Sequence, residues 1–175
     1  LLLMISACQE EGLLEPGKNN QQQLDYVLRT PAFAEGFLMS AYKNLDTEYN
    51  YTECATDDAV NNANGNALRR IATGEWSALY SPTQVGGWDG AYQAIFNLNY
   101  LLSIVNDVQW STQDPERNQL FIKKNSGEAY ALRGYFYLQL LVRYGGKSVT
   151  GELLGVPLLI EPVKVTDNYK LPRAS

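Results

Sequence analysis

EAYALRGYFYLQLLVRY, residues 128–144, decides the fold of this chain. Its apolar residues fall on nearly every side of a 3.6-residue turn, interrupted chiefly by Arg133, Gln139 and Arg143. A helix that is apolar almost all round belongs at the centre of a bundle, with neighbours on several sides. Upstream, Asp114-Pro115 is a good cap and first-turn pair, so the helix is predicted to run from there to Tyr144, with a break near Asn125-Ser126-Gly127. Gly134 is expected to allow a close helix approach, and Gly145-Gly146 to supply the left-handed residue that ends the helix.

Two further helices flank this one in sequence. From Pro31 to about Glu48, Phe33, Phe37, Ala41 and Leu45 recur every four residues beside Leu38 and Tyr42, with Thr30 placed to cap and Pro31 at the first helical position. From about Trp88 to Val105, Ala91, Ile95, Leu98, Leu102 and Val105 form a seam for a neighbouring helix. Trp88, Tyr92 and Phe96 make an adjoining aromatic stripe, so this helix is expected to touch more than one partner, with Trp88 read as core. Past the glycines, Pro157 and Pro162 keep residues 155–162 extended. No strand alternation of any length appears, and the reading is all-α with long irregular loops.

The N-terminal residues carry a different signal. Leu1 to Ala7 is an apolar run closing on small residues, and Ile5-Ser6-Ala7-Cys8 has the form of a lipobox, which makes Cys8 the expected lipidation site. Residues 1–7 then read as a residual signal peptide and 8–23 as a lipidated cysteine and tether, with acidic Glu10 and Glu11 resembling a surface-export signal. The folded domain is expected over 24–175. The chain lacks an initiator Met and ends where Ser175 can cap another helix, so it reads as incomplete at both ends.

Composition excludes several classes of function. A net charge of −5 argues against a nucleic-acid partner, which needs clustered Lys and Arg. The absence of histidine removes Ser-His-Asp and Cys-His catalysis and any His-ligated zinc site. Cys54, the other cysteine of two, has no partner once Cys8 is acylated and reads as a small buried side chain. No metal or cofactor is expected.

The long segment from Asn50 to Gly87 is rich in Asn, Gly, Asp and aromatics, the composition of a functional loop. A calcium-loop reading fails on spacing: with Gly65 at the turn, the first and last ligand positions fall on Val60 and Ile71, where Asp and Glu are required. Turn chemistry explains the asparagines better. Sugar recognition needs flat aromatic faces and planar hydrogen-bonding groups, and the loop offers both. Trp76 and Tyr80 are candidate faces, and Asn62, Asn64, Arg69 and Arg70 candidate polar contacts, with pairing of the arginines to Asp57 or Asp58 as the structural alternative. Asp57 with Asp58, or Glu53 with Asp57, can be proposed as the acid and nucleophile of a glycosidase, but adjacent residues seldom converge on one bond and no catalytic constellation stands out.

Taken in order, several pieces resemble the SusD/RagB family of nutrient-binding outer-membrane lipoproteins. They are the lipobox at Cys8, Thr56-Asp57-Asp58, the Trp88, Tyr92, Ile95, Asn99 pattern, Glu128-Ala129, Leu132-Arg133, Tyr135-Phe136, Tyr144-Gly145, residues 155–158 and residues 172–175. Residues 147–154 separate two pieces that often lie closer in the family. The resemblance implies an all-α protein of tetratricopeptide-like helix pairs (SusD-like) that is not an enzyme. It would capture oligosaccharide or peptide at the outer membrane and deliver it to a SusC-like TonB-dependent transporter. A lipid-anchored scaffold binding another protein is the alternative, and a glycoside hydrolase a third.

Overall fold

Residues Pro115–Tyr144 form one helix, without the break expected near Gly127. The reason is local: Asn125 is buried and its side-chain amide donates to the Phe121 carbonyl at 2.9 Å, so its polar group is satisfied within the helix. In this computed structural model residues 24–45, 51–59, 61–63, 67–75, 87–164, 166–167 and 171–174 are described. In chain order the elements are α1 (Leu24–Arg29), α2 (Pro31–Tyr42), a 3₁₀ turn (Tyr51–Ala55), α3 (Ala67–Ala72), α4 (Trp88–Ile104), α5 (Pro115–Tyr144) and the two-residue strands β1 (Gly146–Lys147) and β2 (Leu153–Leu154).

α2, α4 and α5 pack against one another in all three pairings and enclose the core. Ala34, Leu38 and Ala41 of α2 meet Ala91, Ala94, Ile95, Leu98 and Leu101 of α4 and Ala129, Leu132, Phe136 and Leu140 of α5. Complete burial of each Leu, Ile or Phe stabilises the fold by about 1.5–3 kcal/mol. The alanines let the helices approach closely. Asn97 donates to Ser40 at 2.9 Å across the α2–α4 contact, and Tyr42 donates to Glu128 at 3.2 Å across α2–α5.

Several helix ends differ from the expected ones. α2 stops at Tyr42 instead of running on to Glu48, because Asn44 donates its side-chain amide to Ser40 and the Asn44 and Leu45 amides take the i−3 carbonyls of Ala41 and Tyr42. Thr30 precedes the helix but makes no side-chain cap bond; Pro31 does occupy the first position. Asp114 caps α5 as expected, accepting from the Arg117 amide at 2.9 Å. α4 starts behind Gly87, whose φ of 72° is open to glycine at little cost, and whose α-carbon backs onto Arg143 of α5.

The C-terminal end of α5 also departs from expectation. Gly145 is extended at φ −70°, ψ 162°, and the positive φ falls one residue later, 151° at Gly146. Glycine at 145 answers to space: a Cβ there would stand 2.5 Å from the Leu141 carbonyl oxygen that the Gly145 amide itself binds. Gly134 serves no close approach, since a Cβ there would meet nothing within 4 Å.

Three further expectations are revised. α1 precedes the first expected helix and buries Val27. Residues 146–154 close into a small antiparallel hairpin, Gly146 opposite Leu154 and Lys147 opposite Leu153. The centrality of α5 holds on one side only: Tyr130, Leu138, Leu141 and Val142 remain exposed, Val142 at 74%. No helix among the described residues is long and apolar enough to cross a membrane.

These observations separate two glycines of α5 and its cap. Gly145→Ala is expected to destabilise the chain by about 1–3 kcal/mol through overpacking, while Gly134→Ala is expected to stabilise it by ~0.5–1 kcal/mol through helix propensity. Urea denaturation of the two variants beside the parent chain measures both.

Candidate ligand-binding site

The segment nominated for ligand binding is not one long loop: its described parts include the 3₁₀ turn and α3, which pack together. Leu68 is 2% exposed and anchors α3. Asn62, Arg69 and Arg70 are all exposed, and Arg69 and Arg70 are neighbours on α3. Arg70 is ion-paired to Glu75 at 2.7 Å, in place of the Asp57 or Asp58 pairing considered from sequence. That bond holds the Glu75 carboxyl below its ordinary value. Trp76, Asn64 and Tyr80 lie outside the described residues, as does Cys8.

Turn chemistry accounts for Thr56 and Asn61 beside this surface. Thr56 donates to the Glu53 carbonyl at 2.7 Å and accepts from the Asp58 amide at 3.2 Å. Asn61 accepts from the Ala63 amide at 2.8 Å, an Asx turn. Asp57 and Asp58 are both exposed and make no ion pair among the described residues. Cys54 is half-buried with a free thiol, more accessible than expected.

A polar clamp that sequence reasoning left unassigned joins α4 and α5 to the extended stretch after the hairpin. Asn99, 2% exposed on α4, donates to the carbonyls of Leu159 at 2.8 Å and Glu161 at 3.3 Å, while its own oxygen accepts from Arg133 of α5 at 2.8 Å. Arg133 also donates to the Ile160 carbonyl at 3.2 Å and lies over the Tyr130 ring, 5.1 Å from its centroid. The Tyr137 hydroxyl donates to the Leu159 carbonyl at 2.7 Å and accepts from the Leu159 amide at 2.6 Å. Tyr92 donates to the Pro157 carbonyl at 2.8 Å. The extended stretch is thus held by side chains, since its two prolines keep it out of a helix.

Arg173 extends the clamp. Its guanidinium donates to the Gly155 carbonyl at 2.8 Å and to the Tyr144 carbonyl, and the Gly155 amide donates to Ala174 at 2.6 Å. Trp88 is half-buried beside Tyr92 and edge-on to Tyr144, each at 4.8 Å between centroids, which agrees with its reading as a packing residue. Phe96, the third member of the stripe, is exposed at 43%. The signal that marks the clamp in the sequence is Asn99 and Arg133, two polar residues among apolar neighbours.

Among the described residues, two of the cavities border this frame. One, about 510 Å³, is apolar and lies between α5 and the hairpin, lined by Leu138, Leu141, Leu153, Leu154, Val156 and Leu158 among others. The other, about 460 Å³, is mixed in character and lies where the α1–α2 junction meets the segment joining α4 to α5. Among the described residues no group of three or more acidic or cysteine side chains is placed to hold a metal ion.

A helical bundle with a side-chain clamp across a proline-bound extended stretch defines an all-α scaffold. The SusD-like family model described as "starch-binding associating with outer membrane" matches residues 15–175, and the chain belongs to that family. Its fold is the all-α SusD-like one, and the family is one of binding proteins. No curated protein and no solved structure matches the chain.

The clamp titrates. Burial pushes the Tyr92 phenol up to about 12, with Tyr137 adding to the rise and Arg173 opposing it. Burial likewise raises Tyr137, against the Leu159 hydrogen bond and Arg133. A folded-state value above the unfolded one near 10 means this stability is fully present below pH 10 and is lost as pH climbs toward 12. Urea midpoints measured from pH 8 to 12 are expected to fall over that window, and Tyr92→Phe to flatten the fall while costing about 0.5–1.5 kcal/mol at neutral pH for the lost hydrogen bond.

Proposed function

We propose that the chain is the N-terminal part of a surface-exposed lipoprotein that captures an oligosaccharide and passes it to a SusC-like TonB-dependent outer-membrane transporter. The observation that carries this reading is the family match over residues 15–175, whose description joins starch binding to the outer membrane. The segment around α3 supplies the ligand contacts: Trp76 and Tyr80 offer ring faces, and Asn62, Asn64, Arg69 and Arg70 offer hydrogen bonds. Arg69 is exposed and Arg70 is braced by Glu75, an arrangement suited to fixing a guanidinium before a ligand arrives. The lipid on Cys8, with residues 9–23 as tether, keeps the domain at the membrane.

Two experiments test the two halves of this reading. Calorimetric titration of the full-length protein with maltooligosaccharides is expected to show binding that Trp76→Ala weakens by about tenfold, or ~1.4 kcal/mol. Silence across a glycan panel from a natively folded sample would remove the capture role. For the anchor, Cys8→Ser is expected to move the protein from the membrane fraction to the soluble one and to abolish incorporation of labelled fatty acid; unchanged partitioning would refute lipidation.

A further inference from the structure

The mixed cleft of about 460 Å³ lies in the size range of small-molecule sites, and its construction is specific. Its floor is Trp110, 8% exposed and locked by donation of its indole N–H to the Val105 carbonyl at 2.9 Å, stacked on Phe121 with centroids 6.5 Å apart and ring planes 23° from parallel. The Gln109 amide donates to the Leu28 carbonyl at 2.8 Å, which ties the wall of the cleft to the α1–α2 junction. The Arg117 guanidinium lies over Phe121, 5.5 Å from the centroid, and has no carboxylate partner among the described residues. Arg29 stands at the rim, with Nε bound to Asp25 at 3.1 Å and neither terminal nitrogen bonded among the described residues.

Beside these cations, the side chains of Gln109, Thr112 and Gln113 make no hydrogen bond among the described residues, although all three line the cleft. Two planar guanidiniums suit a carboxylate in bidentate geometry, and a guanidinium resting on an aromatic ring keeps its in-plane donors directed outward. Two primary amides and a hydroxyl, each able to donate and accept, suit ligand hydroxyls, and the aromatic floor suits the apolar face of a sugar ring. The chain carries a net charge of −5, and Asp25, Asp114 and Glu116 lie nearby, so no long-range field gathers anions here. Recognition is by contact. The Asp114 carboxylate is already engaged as the cap of α5.

We propose that this cleft is a second saccharide site, selective for a sugar acid, in which Arg117 takes the carboxylate, Arg29 supports it from the rim, and Gln109 and Gln113 take ring hydroxyls. It is separate from the surface around α3 and does not depend on that surface binding a neutral glycan. The hydroxyl-directed amides favour a saccharide over an acidic side chain of a protein.

The test is calorimetric titration of the full-length protein with trigalacturonate, its fully methyl-esterified form and maltotriose. Trigalacturonate is expected to bind at least tenfold more tightly than its ester, a comparison that needs no variant. R117Q, with circular dichroism matching the parent, is expected to lose at least tenfold in affinity for trigalacturonate and none for maltotriose, with R117K between. Equal affinity for acid and ester, no binding of the acid, or an acid affinity untouched by R117Q would each overturn the proposal, as would equal loss of acid and maltotriose binding in a folded R117Q. Binding of the acid without maltotriose would leave this site standing and remove the neutral-glycan reading of the surface around α3.

Discussion

Asn99 is the residue on which the arrangement turns. It is buried between α4 and α5, where an unpaired amide would cost about 1–3 kcal/mol for each stranded group. Its two donor hydrogens and its acceptor oxygen are all engaged, the donors with the extended stretch and the oxygen with Arg133. Since Arg133 belongs to α5, one amide fixes three segments at once. Leucine in its place would pack as well but would take from the Glu161 carbonyl its Asn99 donor and from Arg133 its Asn99 acceptor, leaving Leu159 to Tyr137 alone.

That clamp explains why a chain with so little sheet can hold a proline-bound stretch in a defined path. Backbone groups in such a stretch have no helical ladder to satisfy them, so side chains must. Tyr92, Tyr137, Asn99 and Arg133 do this from two helices, and Arg173 with Ala174 does it from the far end of the chain. The aliphatic core beneath supplies most of the free energy, and the polar bonds decide where the stretch lies. The cost of the design is that the phenols and amides must stay neutral and paired, which is why alkaline pH acts on this region through Tyr92 and Tyr137.

Periodicity made α4 and the body of α5 legible, because each is long enough for apolar spacing to be unambiguous. α1 escaped because six residues carry too few turns to show a period. The end of α2 escaped because a single Asn44 side chain and two shortened backbone bonds decide it. Gly134 and Gly145 show the same limit from the other side. A sequence records what glycine permits; only the neighbours tell whether the permission is used. For the site, residue types were readable while partners were not: the exposure of Asn62, Arg69 and Arg70 fits a contact role, but Glu75 as the brace of Arg70 follows from the turn after α3 and not from composition. The cleft around Arg117 was not legible at all, since its walls come from segments some 80 residues apart in sequence, Arg29 and Gln109.

The two proposed surfaces differ in what holds them, and the difference bears on how each would bind. The surface around α3 is tied by short-range bonds, Thr56 to Glu53, Thr73 to Arg69 and Arg70 to Glu75, nearly all of them exposed, with Leu68 as its buried anchor. Exposed bonds of this kind contribute little, so local opening there takes less free energy than opening the bundle. The cleft by Trp110 is instead bounded by the capped start of α5 and by a buried indole, both parts of the rigid frame. A site built on the frame arrives pre-organised and loses little entropy on binding, which favours discrimination between close ligands such as an acid and its ester. A surface held by local turns can adjust to longer chains of varied shape, at the expense of that discrimination.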